Sequence, residues 1–481
     1  MPKRPFSLLS AALLLSLVEA SSFSLLGPYE TWMDEAKGFR REGDIGGPMS
    51  LNREYRWNLP TITYGFDQSF LENFGALGVQ EVDKAFATLS DLPPFSDLDL
   101  NDYPLQSKGP TSFGAKSLRL MHFRSVALQA LVEQLGLAQA ERWTFLLRDV
   151  QVQQTSTNYV VIQRNIDPYS RLLGTNSVNG TPFTFNVSDP AYSNSSAADA
   201  VEVAIDPVSK IRTSVAEKSL MQGEYFTGLT REDVGGLKYL YEQGNRNFEN
   251  LAVGGVTAID GGTVKGNALR PGINDFNFIK MQFDRFALQF VPLTNDFLDA
   301  YIGFGGVTKT QMLRRVVTQP DIVFSAGDIG TGPTGFPRLY TATGTSNWIN
   351  NANLNSIADG TGPGLIPPGV RLTFNTATES IVTIPPSTSQ IIGYKWGAFN
   401  TVTVTKIFPA PDYVQPTLVA TSVGNGFQIS FEVDPLLNYR VDFSTNLLQW
   451  QTLTNLPPTP TPVSITDEVQ RDRVFYRVAI P

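Results

Sequence analysis

The apolar residues of this chain change rhythm near residue 250, and that change limits what the chain can fold into. Upstream, several segments place them at helical spacing. In GVQEVDKAFATLSDL (78–92), Val79, Val82, Phe86 and Leu89 fall on one helix face, and Pro93-Pro94 stops the helix. KSLRLMHFRSVALQALVEQLGL (116–137) predicts a second helix, with Leu128, Leu131 and Leu135 on one face and Gly136 at its end. LTREDVGGLKYLYEQG (229–244) predicts a third, with Thr230 as N-cap, Asp233 three residues on, and Val234, Leu237, Leu240 and Tyr241 as the apolar face. PTITYGFDQSF (60–70) alternates Ile62, Tyr64 and Phe66 with polar neighbours, the pattern of a half-buried strand. Beyond about 250 the helical pattern stops. Short runs such as FALQFVPL, DIVFSA, VRLTFNT and SIVTIPP, separated by Gly, Pro, Asn and Thr, predict an all-β region. PAPDYVQPT (409–417) reads as a linker, and the strand-like runs after it predict a small β-sandwich.

At 481 residues the chain is too long for one core. Its N-terminus has Lys3 and Arg4 ahead of a twelve-residue apolar run, Ser7 to Val18, and then Val18-Glu19-Ala20 at the spacing of a cleavage site. That run is too short to span a bilayer, and the whole reads as a secretory leader cut after Ala20. The expectation is therefore a secreted, periplasmic or cell-surface protein, with no membrane span in the mature chain. Without Lys3, Arg4 and Glu19, 35 basic and 44 acidic residues remain, a net of −9, which argues against a nucleic-acid partner. The chain has no cysteine, so disulfides and thiolate metal sites are excluded and hydrophobic cores must hold it.

Most catalytic patterns fail on counting. His122 is the one histidine, and no G-x-S-x-G elbow or phosphate-binding loop accompanies it. One histidine and no cysteine cannot make a usual zinc site, so no metal or cofactor is expected. DLDLND (97–102) spaces Asp97, Asp99 and Asn101 like the start of a calcium loop, but lacks its glycine and its closing glutamate. Trp348 and Trp396, with Trp450, are candidates for stacking on a sugar, or else core anchors.

VALQALVEQLGLAQ (126–139) resembles the active-site helix of the matrixin-type metzincin proteases. Val126, Ala127, Leu128, Leu131, Leu135, Gly136 and Leu137 carry the match. In that family three histidines bind zinc and a glutamate acts as base. Here Gln129, Glu133 and Gln139 stand at the ligand positions and Ala130 at the base. Residues 60–70 and 78–92 resemble the family's first strand and helix. GLTREDVGGLKYLYE resembles its closing helix, and Met221 stands where a methionine turn would be. The resemblance implies a metzincin-like scaffold over roughly 55–245 whose hydrolytic chemistry is gone, since no metal would activate water. The YRVDFSTNLLQW run resembles C-terminal β modules of exported bacterial proteins.

The resulting expectation is a multidomain α+β chain. A leader (1–20) precedes a metzincin-like half of twisted sheet plus helices (21–249) with a long Ser/Asn/Thr-rich insertion. A β-rich domain (250–410) and a small β-sandwich (411–481) follow. Its function would be non-catalytic binding or structure outside the cell, toward a peptide, polysaccharide or cell-surface component. The alternatives are a structural or adhesive β-protein with a chance likeness to a protease, and a carbohydrate-active enzyme using carboxylates.

Overall fold

The computed structural model describes most of residues 22–327, the stretches 342–345, 349–350, 363–375 and 381–382, and most of 418–479. At its centre lies a five-stranded sheet. In spatial order its strands are Asn277–Lys280, Thr61–Phe66, Ile322–Gly327, Val370–Asn375 and Ala342–Thr345. The first four are parallel and the last is antiparallel. Register places Phe278 opposite Ile62, Ile322 opposite Tyr64, and Ile322 also opposite Val370.

Helices cover one face of this sheet. Helix α1 (Gln68–Asn73) starts at Asp67, whose carboxylate accepts from the Phe70 N–H, and α2 (Gly75–Ser90) follows after Phe74. Helix α3 is Phe123–Gln134. Helix α4 (Arg231–Tyr241) starts at Thr230, whose N–H donates to the Asp233 carboxylate at 2.9 Å. Aromatic rings fill the space between. Tyr64 stacks on Phe86 at 3.9 Å, Phe66 on Phe324 at 5.3 Å, and Phe123 on Phe374 at 4.8 Å. Val234, Leu237 and Leu240 of α4 bury in the same core as Val126, Leu128 and Leu131 of α3. The carbonyls freed at the end of α3 also find partners. The Trp57 indole donates to Gln134 O at 2.8 Å and the Tyr241 hydroxyl to Leu135 O at 2.7 Å.

These findings overturn the expected architecture. The described residues are 42% strand and 17% helix, with four α-helices and many small sheets among them. It is a β-rich multidomain protein, not a metzincin-like half of twisted sheet and helices followed by β-domains. The division expected at 249/250 runs through the central sheet, because one strand comes from 61–66 and four from 277–375. Strand Thr61–Phe66 is buried on both faces rather than one. On the second face, a Cβ at Gly65 would come within 2.6 Å of the Phe290 ring. The expected second helix is not continuous from 116: Ala115 and Lys116 are helical, but an extended pair precedes α3. Met121–His122 is extended and pairs in parallel with Ile381–Val382.

Residues 247–317 form a second five-stranded sheet, antiparallel, in the order Asn247–Asn250, Asn267–Arg270, Leu293–Ile302, Thr308–Val317, Val256–Ala258. At 418–479, two three-stranded antiparallel sheets share a small core of Ile429, Phe431, Tyr439, Val441 and Val463.

The two five-stranded sheets meet at Asp321, which is fully buried. Its carboxylate accepts from the Thr63 N–H at 2.7 Å and the Thr63 hydroxyl at 2.9 Å, and pairs with the Arg315 guanidinium at 2.5 Å. Removing the carboxylate leaves Arg315 buried without a counter-charge. Asp321→Ala is expected to cost about 3–5 kcal/mol in urea unfolding, more than the truncation of an exposed pair such as Asp296–Arg314.

Candidate functional site

The helix that carries the protease resemblance is core. Gln129, Ala130 and Glu133 are all buried. Gln129 Nε2 donates to the Glu217 carbonyl at 3.1 Å. Glu133 lies one helical turn on, on the same face. Gln139 is half-buried beyond the helix end, and Met221 is 56% exposed, so it does not join them beneath a cleft. Gly136 ends the helix with φ +104°, and its carbonyl accepts from the Leu26 N–H at 2.8 Å. A Cβ there would lie 2.5 Å from the Tyr55 carbonyl oxygen. Gly136→Ala should therefore lower the free energy of urea unfolding by about 1–3 kcal/mol from backbone strain alone, seen as a lower midpoint, without altering the surface.

His122 is likewise a core residue. Its Nδ1 lies 2.7 Å from the Ser125 hydroxyl, which itself accepts from the Phe226 N–H at 2.8 Å. The His122 ring shares this one hydrogen bond with Ser125. Burial, with the charges of Arg124 and Lys84, pushes the ring's pKa down to about 3. Trp348 and Trp396 lie outside the described residues. Trp450 is covered by the Arg477 guanidinium, 4.4 Å from its ring centre. Among the described residues no group of three or more His, Asp or Glu is placed to hold a metal ion.

Two features emerge that the sequence reading missed. The first is a set of carboxyl groups, Glu141, Glu202 and Glu217, gathered from three segments. Glu217 Oε2 accepts from the backbone N–H of Glu141 at 2.9 Å and of Arg142 at 3.4 Å. Arg142 pairs with Asp199 at 2.6 Å and approaches Glu202 at 3.9 Å. Burial pushes Glu141 up to about 7, against a hydrogen bond to Thr213. Burial also lifts Glu202 to about 7, against the charge of Arg142. Glu217 is raised well above the usual range, by burial first and then by its two acidic neighbours. The adjoining gap, lined by Ala138, Ala140 and Ser214, is too narrow for a water molecule.

Between the unfolded carboxyl pKa near 4.5 and the folded value near 7, the native state holds more protons than the unfolded state. Stability from these groups is thus lost as pH rises through 7. Glu202→Gln should raise the melting temperature by a few degrees at pH 8 and leave it unchanged at pH 4.5, as read by calorimetry.

The second feature is a cleft of about 460 Å³. One wall is the turn Ser96–Leu100, another the loop Pro168–Arg171, and the floor is the outer side of α4 at Gly235, Lys238 and Tyr239. The absence of a side chain at Gly235 makes room for the loop, since a Cβ there would be 2.7 Å from Pro168. The loop is held tightly. The Asp167 carboxylate accepts from the N–H groups of Tyr169 and Ser170 at 2.9 and 2.7 Å, and Arg171 adopts φ +58°. Tyr169 donates to Asn101 Oδ1 at 3.2 Å. Arg171 pairs with Glu242 at 2.5 Å and lies 5.7 Å from the Tyr239 ring centre. Lys238 donates to the Leu98 carbonyl at 2.6 Å. The DLDLND turn thus serves as a cleft wall, where the Asp99 carboxylate accepts from its own Asn101 N–H at 2.9 Å. The cleft offers phenol edges, two cations and two carboxylates within one polar recess.

Comparison with known proteins gives no match to a family model, a curated protein or a solved structure.

Proposed function

We propose that this chain is an exported, non-catalytic binding protein that takes a hydroxyl-rich ligand, such as a polysaccharide segment, in the cleft beside α4. The cleft itself carries this reading. Its volume of about 460 Å³ falls in the range of small-ligand pockets, and its walls are strongly polar. Sugar hydroxyls both donate and accept, so they suit a surface where carboxylates, phenols and cations alternate over a few ångströms. Tyr169, 44% exposed at the rim, supplies a flat apolar face beside hydrogen-bonding groups.

Two further observations support binding over catalysis. The histidine is sequestered as a neutral core residue, and the polar positions of α3 are buried in packing. The leader-like N-terminus supports export. No helix among the described residues is long and apolar enough to cross a membrane.

Glycan-array binding followed by titration tests the proposal. Tyr169→Ala and Arg171→Ala should each weaken a captured glycan about tenfold or more with the melting temperature nearly unchanged, because both side chains are substantially exposed. Affinity unchanged in both variants, or an array that captures nothing, overturns it.

A further inference from the structure

The hairpin of Leu293–Ile302 and Thr308–Val317 ends in a turn that carries apolar side chains outward. Phe304 at its tip is fully exposed, and Val307 is 61% exposed. The turn is well formed. The Gly303 N–H donates to the Val307 carbonyl at 2.8 Å and the Gly306 N–H to the Gly303 carbonyl at 3.1 Å. Gly305 and Gly306 take φ of +79° and +78°, so the projection of Phe304 is built into the backbone. One row back, register sets Leu269 opposite Ile302, and both are half-buried. Strands rise about 3.4 Å per residue, so Phe304 stands roughly 7 Å beyond Ile302.

The charges at the tip are arranged for an anionic surface. Lys309 stands opposite Tyr301 across the hairpin, just behind the turn. Its stem lies along Gly303, where a Cβ would come within 2.9 Å of Lys309 Cε. Lys309 and Arg246, the latter one residue before strand Asn247–Asn250, are exposed and make no ion pair among the described residues. The hairpin's two carboxylates are already neutralised. Asp299 is buried against Arg270, and Asp296, farther from the turn, pairs with Arg314. The chain as a whole is acidic, with a net charge of −8, but at physiological salt exposed charges more than about 8 Å apart are largely screened. The local cations therefore set what the tip attracts. We propose that this tip is a membrane-surface anchor: Phe304 and Val307 enter the acyl boundary of an anionic bilayer, Tyr301 lies at headgroup level, and Lys309 pairs with lipid phosphate.

A convex point suits a bilayer better than a protein face. A stable protein interface covers about 800 Å² on each side, whereas the tip offers one phenyl ring, one valine and a narrow ridge. A bilayer interface receives apolar groups to a depth of about 5–10 Å, which matches the roughly 7 Å from Ile302 to Phe304. Tyrosine is favoured at the headgroup level, and a lysine stem can follow the apolar side chains inward while its ammonium stays among the phosphates. One small apolar anchor binds only reversibly, so the cations supply the second signal. Attachment of this kind is peripheral and needs no spanning helix. The cleft beside α4 shares no residue with the hairpin, so ligand capture and membrane attachment can fail separately.

The test is co-sedimentation of the full chain with vesicles of phosphatidylcholine alone and of phosphatidylcholine and phosphatidylserine in equal parts. Binding should be several-fold stronger to the mixed vesicles and should weaken as salt is raised. Phe304→Ser should weaken it about tenfold and leave the melting temperature unchanged, because the ring is fully exposed. Lys309→Gln should weaken binding to the mixed vesicles several-fold and leave binding to phosphatidylcholine as it was. Phe286 provides the control. It is equally exposed on the hairpin of Phe283–Asp284 and Gln289–Phe290, but there the Asp284 carboxylate closes the turn by accepting from the Phe286 and Ala287 N–H groups. Phe286→Ser should leave vesicle binding intact. No sedimentation with either vesicle, parental binding by Phe304→Ser, or an equal loss in Phe286→Ser overturns the proposal. Self-association in the ultracentrifuge that Phe304→Ser abolishes, without vesicle binding, assigns the tip to a second copy of the chain and overturns it as well.

Discussion

The grip of the Asp321 carboxylate on Thr63 holds the two halves of this chain together. It joins residues 258 positions apart, and the bond is returned by the Asp321 N–H to the Thr63 hydroxyl. Parallel strands cannot be joined by a tight turn and require a crossover. Here the crossovers are very long. Between Thr61–Phe66 and its neighbour Asn277–Lys280 the chain builds the four helices found among the described residues, a two-stranded and a three-stranded antiparallel sheet, and the start of the second five-stranded sheet. Long-range pairing of this kind bears a large loop-closure cost before any contact forms. Local polar fixation at the strand ends offsets part of it, since buried charges that are fully paired and hydrogen-bonded set register as well as energy.

Buried charge is distributed unevenly. Near the second sheet it is balanced. Arg56 pairs with Glu249 at 2.7 Å and also reaches the carbonyls of Leu240, Asn245 and Arg270. Arg270 makes a two-pronged pair with Asp299 at 2.9 and 3.1 Å. Around the start of α4 and the loop after α3 the balance is acidic, with Glu141, Glu202, Glu217, Glu232 and Asp233 all raised by burial. Backbone N–H groups substitute there for cations. A carboxylate held by amides keeps its geometry yet remains sensitive to any charge brought nearby. The same helix lines the cleft with Gly235, Lys238 and Tyr239, so α4 carries both part of the acidic cluster and the floor of the proposed ligand site.

Some of this was legible in the chain. The stop at Gly136, the Thr230–Asp233 start of α4, and the apolar faces of α2 and α4 follow from spacing and capping alone. The parallel strands were not legible. DIVFSA and VRLTFNT are continuous or alternating apolar runs that any β-protein would contain, and nothing local names Thr61–Phe66 as their neighbour. The cleft was equally hidden. Its groups come from 96–100, 168–171 and 235–239, and only folding makes them adjacent. The VALQALVEQLGLAQ segment illustrates the limit from the other side. Its leucines and glycine place a helix, but the roles of Gln129 and Glu133 depend on a carbonyl at Glu217 and on burial that no spacing encodes.

The sequence by itself determined where α2 and α4 lie, that Gly136 closes α3, which faces of α2 and α4 turn inward, and that no thiol chemistry is available. These are properties of neighbouring residues, set by backbone geometry and side-chain type within a few turns. Tertiary structure alone decided which strands share a sheet, that the polar positions of α3 are core rather than cleft, and which carboxyl groups are held near neutrality. Those outcomes depend on desolvation and on distances between segments up to hundreds of residues apart, and a linear pattern contains neither quantity.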